Sequence, residues 1–170
     1  MGDPVACSAG SGGASVRLVA IVLLMGFVAP SASIAATWTV DPSGNGDSTT
    51  LTGAVALASD GDQIDVLPGS YAEQLDPLGK AVTVRGTSGS QATVIAAPTA
   101  ACVRFAGGEG SETVVTGFTI QGCSLHGVLV LGSSPTLRDP VITNNGGAAA
   151  GGGVLVSGGA PTLERVVLVG

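Results

Sequence analysis

The chain has 170 residues, 28 of them glycine, with aromatics at 3%, charged residues at 11% and a formal charge of −6. A helical globule of this length carries more charge and fewer glycines, so many tight corners joined by short apolar strands fit better. The acidic balance argues against nucleic acid as a partner, because phosphate recognition wants a basic stripe.

Met1 to Ser15 contain no basic residue. Arg17 then precedes an apolar run from Leu18 to Ala29, and the small residues Ser31, Ala32, Ser33, Ala35 and Ala36 follow. A positive residue, a short apolar run and a small-x-small site describe an export signal. Cleavage after Ala35 is expected, with residues 1–35 as the signal region and translation starting near Val16. The run is shorter than the about 20 apolar residues of a membrane span. The expected localisation is therefore secreted or cell-surface. Asp3 and Arg17 leave together, so the charge of the mature chain is unchanged.

In the mature part, Thr37 to Val40 alternates as a strand, and Asp41 to Asp47 is a run of turn formers. Ser48, Thr49 and Thr50 offer a helix N-cap, and Leu51, Ala54, Val55 and Ala58 follow at i, i+3, i+4 and i+7. A short amphipathic helix over about 50–59 is predicted to cover the apolar end of the first coil. Further strands are expected at Gln63–Val66, Lys80–Arg85, Thr93–Ala96, Cys102–Phe105, Thr113–Val115 and Phe118–Ile120. Leu67 to Tyr71 reads as a corner with an aromatic anchor, followed by a short piece around Leu75.

A repeat then organises the rest. Val128-Leu129-Val130, Gly132 and Pro135-Thr136-Leu137 recur as Val154-Leu155-Val156, Gly158 and Pro161-Thr162-Leu163, an offset of 26 residues without a gap. Val141 falls on Val167 at the same offset. A unit of this length cannot bury its own apolar face and stacks on a copy of itself. The units are short, β-branched and bounded by Gly or Pro. The predicted fold is all-β: a right-handed, single-stranded parallel β-helix (solenoid) over residues 36–170 with a short N-terminal capping helix. The chain stops in strand-like sequence, Val166 to Gly170, so a C-terminal truncation of a longer repeat protein is expected.

Asp60-Gly61-Asp62-Gln63-Ile64-Asp65-Val66-Leu67-Pro68-Gly69-Ser70-Tyr71-Ala72-Glu73, together with the preceding Thr39 to Asp47 and the predicted helix, resembles the N-terminal opening of the pectin-lyase-like right-handed parallel β-helix superfamily. Lys80 to Gly86, Val115 to Ile120 and the Gly-rich units are similar to its coil patterns. The resemblance implies the fold over Thr37 to Gly170. It does not imply one activity, since that fold hosts lyases, hydrolases, esterases, adhesins and passenger domains.

For an enzyme, the resemblance implies carboxylates, often binding calcium, with Arg or Lys on one outer face. Arg138, Asp139, Glu164 and Arg165 fall at neighbouring repeat positions and are expected to pair across two rungs as a surface ladder. Asp41, Ser43, Asn45, Gly46 and Asp47 have a calcium-loop spacing, but Thr52 stands where the bidentate Glu belongs, so turn chemistry is preferred and calcium is the alternative. Asp60, Asp62 and Asp65 form a second acidic group, in which Asp62 and Asp65 read as corner and outward strand positions. His126 lacks a nearby nucleophile or acid for a triad. Asn144 and Asn145 are expected to satisfy backbone groups inside a corner. The glycine tract from Gly146 to Gly153 lacks the ending of a phosphate loop. Cys7 precedes the signal. Cys102 and Cys123 are separated by about one coil, and a disulfide or two buried thiols fit equally.

No catalytic, cofactor-binding or metal-ligating residue emerges. The expected function is a secreted or surface-exposed structural module, or one that binds carbohydrate such as a polysaccharide or cell-surface glycan in adhesion. The alternative is the N-terminal portion of a pectate-type polysaccharide lyase or hydrolase whose catalytic coils lie beyond residue 170.

Overall fold

The computed structural model describes residues 34–146 and 151–170. The apolar signal run, the start near Val16 and residues 147–150 of the glycine tract lie outside these residues. The elements are β1 (Thr37–Val40), α1 (Leu51–Leu57), β2 (Gln63–Val66), β3 (Gly69–Tyr71), β4 (Thr83–Gly86), β5 (Thr93–Ile95) and β6 (Val103–Phe105). They continue as β7 (Val114–Thr116), β8 (Thr119–Gln121), β9 (Val128–Leu131), β10 (Thr136–Arg138), β11 (Val141–Thr143), β12 (Val154–Ser157), β13 (Thr162–Glu164) and β14 (Val167–Val169).

Every pairing among the described strands is parallel, and from β4 onward successive strands enter three different sheets in turn. The first sheet has the order β1-β2-β4-β7-β10-β13, the second β14-β11-β8-β5-β3, and the third β12-β9-β6. One circuit of the chain thus adds one strand to each, which is a right-handed parallel β-helix of about 5 turns. An isolated bridge from Leu75 to Val103 extends the third sheet by one position. The matched units stack in the register set by their offset: Val128 on Val154, Leu137 on Leu163 and Val141 on Val167.

Alternation along each short strand turns one column of side chains inward. In the first sheet this column is Trp38, Ile64, Val84, Val115, Leu137 and Leu163. In the second it is Tyr71, Ile95, Ile120, Ile142 and Leu168. Phe105 and Phe118 are the largest fully buried side chains, so a chain poor in aromatics fills its interior chiefly with aliphatic stacks. The last coil differs: Leu137 is 0% exposed, whereas its stacked copy Leu163 is 44% exposed.

At the other end, α1 places Leu51, Ala54 and Val55 into the core. Thr50 is its N-cap, its hydroxyl accepting from Gly53 N at 3.0 Å. The helix is shorter than the predicted 50–59 because Ala58 already adopts extended backbone. The segment expected to be only a corner, Leu67 to Tyr71, also supplies strand β3, since its last three residues pair with Thr93–Ile95.

Candidate functional site

Two side chains from later coils hold the ends of α1. Glu73 accepts from Leu51 N at 2.7 Å, Thr52 N at 3.1 Å and Thr52 Oγ1 at 2.8 Å. Lys80 Nζ donates to Val55 O at 2.6 Å and Ala58 O at 2.7 Å. An anion at the N-terminal amides and a cation at the C-terminal carbonyls match both the unpaired backbone groups and the helix dipole. Glu73 ends the family-like run of sequence, and its work is structural.

The rest of that run has the same character. Asp62 is buried and accepts from Ala36 N at 2.8 Å, Trp38 Nε1 at 3.0 Å and Ser59 N at 2.9 Å. The Ser59 N–H, then the Trp38 indole and the Ala36 N–H, hold its carboxyl below the usual range against partial desolvation, and Lys80 adds a favourable charge. Asp60 accepts from Ala81 N, and Asp65 pairs with Arg85 at 2.9 Å. Tyr71 donates to Leu67 O at 2.8 Å. Burial, with Asp41 and Glu73 nearby, pushes its phenol up to about 12. From its corner position Asp62 thus ties the first two coils together.

The calcium-like segment folds on itself. Asp41 Oδ1 accepts from Ser43 N at 2.8 Å and Ser43 Oγ at 2.6 Å, and Asn45 Nδ2 donates to Ser43 Oγ at 2.8 Å. Asp47 Oδ2 accepts from Thr39 N at 2.7 Å. These bonds build the turn that blocks the free edge of β1. Among the described residues, no three His, Cys, Asp or Glu side chains gather in a metal-holding group.

The predicted ladder on the last two coils is present. Arg138 reaches Glu164 at 2.8 Å and Arg165 reaches Asp139 at 2.5 Å. Its members are substantially exposed, and pairs of this kind contribute little to stability. Asn145 satisfies the neighbouring coil, accepting from Cys123 N at 3.1 Å and donating to Ile120 O at 3.0 Å. Asn144 instead supplies a left-handed turn residue with φ 51°. His126 Nδ1 lies 2.7 Å from Gly151 O. Cys102 and Cys123 are joined in a disulfide, with Cα atoms 5.6 Å apart.

Glu109, a buried carboxylate between β6 and β7, is a residue that the sequence reading missed. Gly107, Gly108 and Gly110 flank it, and Glu109 is 1% exposed. Its donors are Gly79 N at 2.8 Å, Gly107 N at 2.9 Å and Ser133 Oγ at 2.7 Å, drawn from three successive coils. Burial pushes the carboxyl up, but the Ser133 hydroxyl and the backbone N–H groups outweigh it, so it sits below its ordinary value.

A groove of about 270 Å³ runs beside α1, lined by Thr52, Val55, Gln74, Asp76 and Leu78. Its polar groups are already engaged: Gln74 donates to Ala101 O, and Asp76 takes Leu78 N and Arg104 at 2.6 Å. Every described carboxylate except Glu112 accepts a hydrogen bond from the chain's own backbone or side chains. Comparison of the chain with family models, with curated proteins and with solved structures returned no match in any of the three.

Proposed function

We propose that the chain is a secreted or surface-exposed β-helix of the pectin-lyase-like kind, serving as a structural module that presents its outer faces to polysaccharide or cell-surface glycan. The observation that carries this reading is the commitment of the carboxylates. Acid–base chemistry on a sugar needs two carboxyl groups converging on the substrate, and these are spent on helix ends, corners and ion pairs. The outward row of the first sheet, Thr39, Asp65, Arg85, Thr116, Arg138 and Glu164, offers hydroxyls and charges at strand spacing along the axis. The export signal in the sequence and the disulfide are consistent with an oxidising compartment.

The test is binding of the purified chain to a panel of immobilised polysaccharides and surface glycans, with Arg85→Ala and Arg138→Ala alongside. Retention that weakens in both variants supports the reading. Unsaturated or shortened products from pectate or a related polyuronate with calcium would replace it with a lyase or hydrolase.

A further inference from the structure

We propose that Glu109 is a proton-operated latch, which while ionised holds together the three successive corners that carry Gly79, Gly107 and Ser133 and when protonated lets them part. These corners lead from the third sheet into the first. Gly79 lies between Leu75 and β4, Gly107 between β6 and β7, and Ser133 between β9 and β10. They pack backbone on backbone. A Cβ at Gly79, where φ is +78°, would meet Gly107 O at 2.8 Å. Two amide N–H groups in so close a contact share one acceptor, and the Glu109 carboxylate is that acceptor.

The same carboxylate takes the Ser133 hydroxyl, which in turn accepts from Gly108 N at 3.2 Å. The Glu109 backbone carbonyl accepts from Ser134 N at 2.7 Å, so the neighbouring corner is bound twice. None of the ion pairs among the described residues includes Glu109, and its donors are neutral N–H and O–H groups. Such a group is an anion nest, and it loses acceptor capacity when the carboxyl gains a proton. The charged residues on the segments packed around it are occupied or exposed. Asp76 is tied to Arg104, Lys80 to the carbonyls of α1, and Glu112 lies outside on the same turn. Residues 132–134 contribute none.

The donors favour the ionised form, so the corner is fully latched above the ordinary carboxylate value and the stabilisation is lost as pH falls toward the lowered one. In that window the opening constant rises by up to about tenfold per pH unit, the slope of a single proton.

The experiment is amide hydrogen exchange on the full chain from neutral to acid pH, corrected for intrinsic rates, with the Glu109 carboxyl titrated by NMR. The expected result is that Gly79, Gly107, Gly108 and Ser134 lose protection together as Glu109 protonates, while Val84, Val115 and Leu137 stay protected. Glu109→Gln sets an NH2 against these donors, and the acid-dependent step disappears. Ser133→Ala removes one donor to the anion and moves the step to higher pH, which keeps the test open if Glu109→Gln does not fold. Corner protection that is independent of pH, that falls only with global unfolding, or that is unmoved by Ser133→Ala overturns the proposal.

Discussion

Leu137 and Leu163 are the same residue at the same repeat position, stacked one on the other, yet the first is 0% and the second 44% exposed. Truncating each to alanine separates burial from sequence context. Leu137→Ala removes a side chain enclosed on all sides, with both a transfer and a cavity contribution, and is expected to cost about 3 kcal/mol. Leu163→Ala keeps only the part of the transfer term that its burial supplies. It leaves no closed cavity, so the cost is about 1 kcal/mol. With a urea slope of about 2 kcal/mol/M, the midpoints fall by about 1.5 M and about 0.5 M. The assay is equilibrium unfolding in urea followed by circular dichroism, with Val130→Ala and Val156→Ala as a second matched pair, 0% and 43% exposed. Equal losses within each pair would refute the reasoning, because the last coil would then be as enclosed in solution as the one before it.

Glu73→Ala frees the amides of Leu51 and Thr52 and is expected to cost about 1–2 kcal/mol, read by faster hydrogen exchange at those amides. Lys80→Met keeps the aliphatic stem but loses two bonds to the last carbonyls of α1, at about 1 kcal/mol in thermal unfolding. Reducing the Cys102–Cys123 bridge, which closes a segment of sequence separation 21, is expected to destabilise by about 3 kcal/mol; mass spectrometry of the alkylated protein reads the bond itself. Gly107→Ala pushes a methyl to 2.7 Å from Gly79 Cα and is expected to lower stability by about 2 kcal/mol.

The solenoid was legible because its last units repeat residue for residue at 26 positions, so stacking register follows from counting. The surface ladder was legible for the same reason. Arg138 and Asp139 recur as Glu164 and Arg165 with their charges exchanged, which sets opposite signs side by side on adjacent rungs. Strand limits were harder to read. Lys80 to Arg85 alternates like a strand, yet Lys80 leaves the line to reach α1, and pairing begins at Thr83. Asp62 and Glu73 stand in a turn-rich, polar stretch that looks solvent-facing, while the partners that fix them include backbone amides 21 to 26 residues away, at Ala36, Leu51 and Thr52. Glu109 was hidden most completely, since three glycines surround it in sequence and two of its three donors come from other coils. Its one trace is the pairing of small residues, Gly79 with Gly107, at a spacing near one coil.

The central claim, that this β-helix holds polysaccharide without cleaving it, is tested most directly by size-exclusion chromatography of a labelled polysaccharide panel after incubation with the purified chain and calcium. The account predicts that at least one polymer co-elutes with the protein at unchanged length. A shift of any polymer to shorter products, or separate elution of every polymer and the protein, would contradict it.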